Sequence, residues 1–238
     1  MPAFQLPSAL VKLAERVGVP AFFVLGNHDH YGGSIAKTEA AVDQVCERYQ
    51  ALTWLDRQAE PIRLDERTTL VGTGGWGDFS VLDDGYAELN DELEIKELFR
   101  LRGPALAQYH QRLAHESAEI FRPKLEVALG TSDQVLIGTH VPPFRGATWH
   151  EGHISEPAFL ARFCNATLGR VIEECSEKFP DTKMLVVCGH THSGGYYKHN
   201  DSIEVFTGAA EYGSLRVNGL IERLENGTWE VKTEGRIK

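Results

Sequence analysis

The sequence predicts a single α/β domain, and three observations predict it. Three apolar runs of strand length, in "FFVLGNHD", "VLIGTH" and "MLVVCGHTH", each pass through glycine into histidine. Between them lie longer segments whose apolar residues recur at helical spacing. No repeat, low-complexity stretch or Pro/Gly/Ser-rich linker divides the 238 residues, a length suited to one large domain or two small ones.

Leu6 to Val17 reads as an amphipathic helix, with Leu6, Leu10, Leu13 and Val17 on one face, and Val19-Pro20 ends it. Ala21 to Leu25 is a continuous apolar run, the pattern of a strand buried on both faces. After the Tyr31-Gly32-Gly33 turn, Ser34 caps a helix reaching about Gln50, with Ile35, Val42, Val45 and Tyr49 on its inner face. Thr53 to Leu70 reads as short strands around turns, and "TLVGTGGWGD" (69–78) as a strand emptying into a glycine-rich loop. Residues 79–92 are acidic and read as loop. Leu93 to Leu101 and Ala105 to Leu129 read as helices parted by Gly103-Pro104, the second kinked or divided at Pro123. Val135 to Ile137 is the next strand, Phe159 to Phe179 the next helix, and Met184 to Cys188 the strand before "GHTHSGG". From Ile203 the tail alternates in short strands, with Asn226-Gly227 as a hairpin turn.

Apolar residues make up 42% and charged residues 24%, the balance of a soluble globule. A net charge of −10 argues against general nucleic-acid binding, which needs a basic footprint. A small anionic substrate remains compatible, because a bound metal outweighs a negative surface locally. Cys46, Cys164, Cys175 and Cys188 have no CxxC spacing and read as core thiols in a reducing compartment. No apolar run approaches the ~18 residues that span a membrane, and no signal-peptide pattern opens the chain. A cytoplasmic protein with no membrane partner is the default expectation.

The chemistry gathers at the three glycine–histidine strand ends. In open α/β sheets, ligands collect at the carboxyl ends of strands. Glycine lets the chain turn there and bring its backbone close. Neighbouring strands can thus deliver Asn27, His28, His140, His190 and His192 to one edge. Imidazole suits zinc, iron, nickel and copper, and amide oxygen suits harder ions. Asp29 directly follows His28 and is expected to orient its ring. His30, His110, His115, His153 and His199 read as ordinary structural histidines.

These residues resemble the calcineurin-like metallophosphoesterases. That family's later motifs, Gly-Asn-His-Asp/Glu, a lone His after a strand and Gly-His-x-His, match residues 26–29, 138–140 and 189–192. The likeness runs from about residue 20 to about 215, and "GWGD" and "HVPPFRGATWHEGHIS" look like one bacterial branch. The resemblance implies a two-sheet sandwich flanked by helices and a site holding two divalent ions, commonly Mn, Fe, Zn or Ni. In such a site the two ions clamp the phosphoryl group and generate a bridging hydroxide, which attacks phosphorus. His28 would protonate the leaving group or stabilise its charge, with Asp29 behind it. Trp149, His150 and Arg145 are the substrate-binding candidates on the loop after His140. Trp76 and Asp78 could form the opposite wall, and Tyr212, beyond the last metal motif, could pack beside that motif.

The family's first two motifs, Asp-x-His and Gly-Asp-x-x-Asp, have no counterpart upstream of Asn27, and "GDFSVLD" (77–83) has the wrong spacing and reads as a loop near the site. By resemblance, Asn27, His140 and His190 would hold one metal, and His192 alone would remain for the other. One protein ligand does not fix an ion against water, whereas three do. The expectation is therefore at most one metal, a sheet lacking its first strands, and impaired activity. Met1 reads as an internal or mis-called start, with ~40–60 residues of a strand–helix–strand lead-in before it. The expected function is metal-dependent hydrolysis of a phosphate ester on a small molecule or phosphoprotein. The alternative is a non-catalytic binding or regulatory module on a decayed scaffold. A partner subunit supplying the missing strands is a third possibility.

Overall fold

The computed structural model describes residues 2–81, 85–213, 217–224 and 228–233. The chain runs α1 (Leu6–Val17), β1 (Ala21–Phe23), α2 (Ile35–Arg48), β2 (Leu52–Trp54), β3 (Ile62–Arg63) and β4 (Thr68–Thr73). It continues with α3 (Asp91–Glu94), α4 (Gly103–Thr131), β5 (Gln134–Thr139), β6 (Trp149–His150), β7 (His153–Ile154), α5 (Pro157–Phe163) and α6 (Ala166–Lys178). The last strands are β8 (Lys183–Cys188), β9 (Gly195–Lys198), β10 (Ile203–Thr207), β11 (Leu220–Arg223) and β12 (Trp229–Lys232).

A six-stranded mixed sheet ordered β3-β4-β5-β8-β10-β9 forms the centre. Its four inner strands are parallel, and the two edge strands run antiparallel. Parallel neighbours need crossovers, supplied here by α4 between β4 and β5 and by α6 between β5 and β8. α4 packs against α6 and against β4 and β5. Phe121, Leu125 and Ala128 of α4 meet Val135 and Ile137 of β5, Ile172 of α6 and Val186 of β8 in the main core. Burying one such side chain contributes about 1.5–3 kcal/mol, so this layer is the stable base of the molecule.

A smaller unit precedes it. β1 and β2 form a two-stranded parallel sheet, packed by α1 and α2 around Leu6, Leu10, Leu25, Val42, Val45 and Trp54. Ser34 caps α2 through the Lys37 N–H, as its position predicts. The strand Ala21–Phe23 is shorter than the apolar run and not buried on both faces: Phe22 is 38% exposed, because β2 is its one sheet neighbour among the described residues. β6–β7 and β11–β12 are antiparallel pairs. The Asn226-Gly227 turn lies outside the described residues, as do Leu82 and Asp83 of the "GDFSVLD" stretch.

Three helical expectations need correction. Leu93 to Leu101 is not a helix. Only Asp91–Glu94 makes a turn, because Ile95 becomes extended to bridge Gly33 and to bury its side chain with Leu98. Phe159 to Phe179 is two helices, because Asn165 turns its side chain to cap the Leu168 N–H and starts α6 afresh. Pro123 does not divide α4, which runs unbroken for 29 residues. Proline removes one helical donor, and the core contacts of Phe121 and Leu125 on either side keep the helix in place.

Candidate metal centre

Since β4, β5 and β8 are parallel, their carboxyl ends share one edge of the sheet, and the residues after them meet there. The His140 N–H donates to the Gly74 carbonyl at 2.9 Å and the Gly189 N–H to the His140 carbonyl at 3.0 Å. These bonds tie the loops after the three strands side by side. Asn27 enters from the smaller unit, at the start of a 3-10 turn over Asn27–His30.

Three side-chain donors converge. Asn27 Oδ1 lies 3.0 Å from His140 Nε2 and 3.3 Å from His190 Nδ1, and the two ring nitrogens are 3.0 Å apart. Ligands bound ~2.1 Å from one cation stand roughly 3.0–3.5 Å from each other. The triangle therefore fits three ligands on one face of a coordination sphere. Among the described residues no group of three His, Cys, Asp or Glu side chains is placed to hold a metal; here the third donor is an amide.

The protonation states agree. Burial drives His190 down to about 4 and His140 well below its ordinary value, aided in His140 by the neighbouring His190 charge. Both rings are thus neutral at pH 7, as a metal requires. His190 Nε2 lies 3.1 Å from the Arg162 carbonyl. A carbonyl only accepts, so Nε2 carries the proton and Nδ1 aims a lone pair at the centre.

Local backbone serves this convergence. A side chain at Gly26 would put its Cβ 2.4 Å from the His140 ring, so only glycine permits the approach. His190 (φ 69°) and His192 (φ 63°) both adopt the left-handed region, which costs non-glycine residues on the order of 1–3 kcal/mol each. Strain of this kind clusters at functional sites.

His28 and His192 lie beside the triangle. Their rings are edge to face at 5.3 Å, and Tyr212 stacks on His28 at 5.5 Å and meets His192 at 4.9 Å. Burial lowers both pKa values, with His192 adding to the effect on His28 and His150 to that on His192. Asp29 is placed otherwise than expected. Its Oδ2 accepts the Gly26 N–H at 2.9 Å, and no hydrogen bond joins it to the His28 ring among the described residues. It closes the turn that carries His28, because a residue at the third position of such a turn faces the capping amide.

The loop candidates divide. His150 packs on Phe159 and Phe163, and Phe163 in turn contacts His190 at 5.1 Å. Trp149 lies against Gly195, where a Cβ would stand 2.2 Å from the indole, so it seats the chain beyond His192. Arg145 is exposed on a short 3-10 turn. Trp76 is not at the mouth but between His30 and His110, and Asp78 caps α6 through the Thr167 N–H.

The sequence pattern misses the residues around the donors. Asp91 Oδ1 accepts from Asn27 Nδ2 and from the Tyr31 hydroxyl, both at 2.7 Å. Arg162, almost fully buried, donates from Nη2 to Asp91 Oδ2 at 3.1 Å and to Glu92 Oε1 at 2.6 Å. Burial alone would raise the Asp91 pKa, but the Tyr31 hydroxyl, the Arg162 charge and the Asn27 amide hold it below the ordinary carboxylate value. The one available signal is Arg162 inside the apolar run "AFLARF". Asp91 is one of several acids in "ELNDELE" and gives none.

The strand ends of this α/β sheet bring an amide oxygen and two neutral imidazoles to one point, a donor set that fits a divalent cation. The chain belongs to the calcineurin-like phosphoesterase family, whose profile matches residues 4–194. The family acts on phosphate esters and implies divalent metal, which the donor triangle fits. One solved crystal structure covers 97% of this chain and 72% of its own, at 13% identity and a TM-score of 0.51, and so shares the fold. A dimetal phosphatase from Danio rerio aligns over 87% of this chain and 77% of its own, at 12% identity and a TM-score of 0.41. A comparison with curated proteins gives no match. No described helix is long and apolar enough to cross a membrane.

Proposed function

We propose that this chain binds one divalent cation through Asn27 Oδ1, His140 Nε2 and His190 Nδ1 and hydrolyses a phosphate ester beside it. The observation that carries the proposal is the donor triangle, with sides of 3.0, 3.0 and 3.3 Å. A cation there supplies Lewis acidity toward a phosphoryl oxygen and a more acidic water. Mn, Fe, Zn and Ni all suit such a set.

The chain's own residues do the rest. His28, neutral at rest, keeps one ring N–H to donate to the leaving oxygen, and an anionic phosphate beside it would restore some of its basicity. Asp29 fixes the turn on which His28 rides. Arg145 supplies a cation for a phosphate oxygen, and His150, on its wall of Phe159 and Phe163, borders the substrate. Trp149 acts through the loop it seats. By the family resemblance His192 alone, among the described residues, would serve a second metal, so a single ion and a slow enzyme are proposed. The substrate is a small phosphorylated molecule or a phosphoprotein, handled in the cytoplasm, without nucleic acid or membrane.

Metal analysis of the purified chain, with hydrolysis of an aryl phosphate under added Mn²⁺, tests this. Roughly one bound ion per chain and an activity lost in His140→Ala and His28→Ala support it. A folded chain without hydrolysis under added Mn²⁺ would favour the non-catalytic scaffold, and no metal binding would end the catalytic reading.

A further inference from the structure

We infer that Asp91 and Arg162 form a buried brace that positions two of the three metal donors, with Asp91 as the positioning residue for Asn27. The inference rests on the proposed cation at the donor triangle. Asp91 lies 64 positions from Asn27 in sequence, on α3, yet its Oδ1 is 2.7 Å from Asn27 Nδ2. A carboxylate only accepts hydrogen bonds, so the amide nitrogen must face Asp91 and the amide oxygen must face His140 and His190. Asp91 thus decides which end of Asn27 meets a cation. Without it the amide can turn over and present two N–H donors, which repel a cation.

Arg162 acts on the same centre from two sides. Its guanidinium donates to Asp91 Oδ2 at 3.1 Å, and its backbone carbonyl accepts the hydrogen bond from His190 Nε2–H at 3.1 Å. One residue therefore connects the orientation of Asn27 to the tautomer of His190. Its carbonyl is seated by the "GWGD" segment. Asp78 N–H donates to the Cys164 carbonyl and Phe79 N–H to the Ala161 carbonyl. A Cβ at Gly77 would stand 2.0 Å from the Arg162 carbonyl oxygen, so glycine alone allows that contact.

Stability does not explain the arrangement. Arg162, Asp91 and Glu92 are all almost fully buried, and the Arg162 Nε and Nη1 have no hydrogen-bond partner among the described residues. Buried ion pairs repay their desolvation poorly, and apolar replacements are often as stable. A brace that aims ligands gives these charges a purpose, and such outer partners typically govern metal affinity by 10–100-fold.

The test titrates Co²⁺ into the full chain and into Asp91→Asn and Glu92→Gln. The readouts are the dissociation constant, the visible d–d spectrum and the urea midpoint. Glu92 shares the Arg162 charge but touches neither donor, so its variant reports structural loss alone. Asp91→Asn is expected to weaken Co²⁺ binding by about 10–100-fold and to change the spectrum. Glu92→Gln is expected to lower the urea midpoint while leaving affinity within about twofold. Equal affinity in Asp91→Asn and the unaltered chain would overturn the brace, as would affinity losses in both variants that simply follow stability. If the unaltered chain binds no Co²⁺, the metal reading itself fails. Should Asp91→Asn not fold, a crystal structure of the Co²⁺-loaded unaltered chain decides. Asn27 coordinating through Oδ1 with Nδ2 on Asp91 upholds the inference, and an amide turned away from Asp91 defeats it.

Discussion

β5 and β8 lie in the middle of six strands, while β1 has a single sheet neighbour among the described residues, β2. Both regions send ligands to the same point, but they aim them differently. His140 and His190 follow paired strands that are locked on both sides, and the loops after them are tied to each other through Gly74, His140 and Gly189. Asn27 follows a short strand with a half-exposed face, and its direction comes from side chains: Asp91, Tyr31 and the turn closed by Asp29. A sheet can position by its ladder; where the ladder is thin, hydrogen bonds between distant side chains take over. The smaller unit still joins the rest through the Gly33–Ile95 bridge and the Glu97 carboxylate at the start of α2.

The comparison breaks first if the large sheet is not the stable base. Phe121 is fully buried between α4 and that sheet. Phe121→Ala should cost about 3–5 kcal/mol in urea unfolding. A loss below about 1 kcal/mol would mean that the sheet core does not govern stability.

A second variant asks whether the two regions need close contact. Gly26→Ala drives a methyl into the His140 ring without removing any donor. Divalent-metal affinity, read by calorimetry with Zn²⁺ or Mn²⁺, should fall on the order of 100-fold, near the upper range for perturbed ligand support. Unchanged affinity would show that the ring has room that the structure denies it.

Acidity sharpens the contrast through His110, which lies among Trp76 and Phe79 in a cluster apart from both the sheet core and the donors. Its Nδ1 donates to the Gly77 carbonyl at 3.0 Å, and Trp76 and Phe79 lie against the ring. Burial, with the Arg162 charge adding to it, drives its pKa down to about 3. The unfolded chain binds this proton below about pH 6.5, while the folded chain does not until near its own lower value. The contribution is therefore whole above pH 6.5 and shrinks as pH falls toward 3. Between pH 6.5 and 5 the metal-free chain should lose up to ~1.4 kcal/mol per pH unit from this group. His110→Gln should flatten that slope, and an identical slope would remove His110 as its source.

These differences also explain what the sequence makes legible. The bounds of α1 are read to the residue from the face shared by Leu6 and Leu10, although the helix ends in a left-handed turn at Gly18, just before the Val19-Pro20 pair expected to end it. The strand ends are read because "GNHD", "GTH" and "GHTH" follow apolar runs, and the three donors among them do converge. What escapes is set by distant partners. Ile95 leaves helix for a bridge to Gly33, and Asp91 earns its place from Asn27 and Arg162, far away in sequence. Local periodicity carries no information about either. The same holds for Phe22, whose apolar run looks buried because the count of sheet neighbours is not written in the run itself.

The smallest expected effect is the mirror of the largest. Phe22 sits on β1 with 38% of its surface exposed, in a strand paired only with β2 among the described residues. Phe22→Ala removes the same atoms as Phe121→Ala, but leaves a surface that water already reaches rather than a cavity. The loss should be below about 1 kcal/mol, the usual range for surface positions, and Co²⁺ affinity should be unchanged, since Asn27 takes its direction from Asp91. If Phe22→Ala instead weakens the metal more than it weakens the fold, then β1 itself aims Asn27, and the division between ladder and brace disappears.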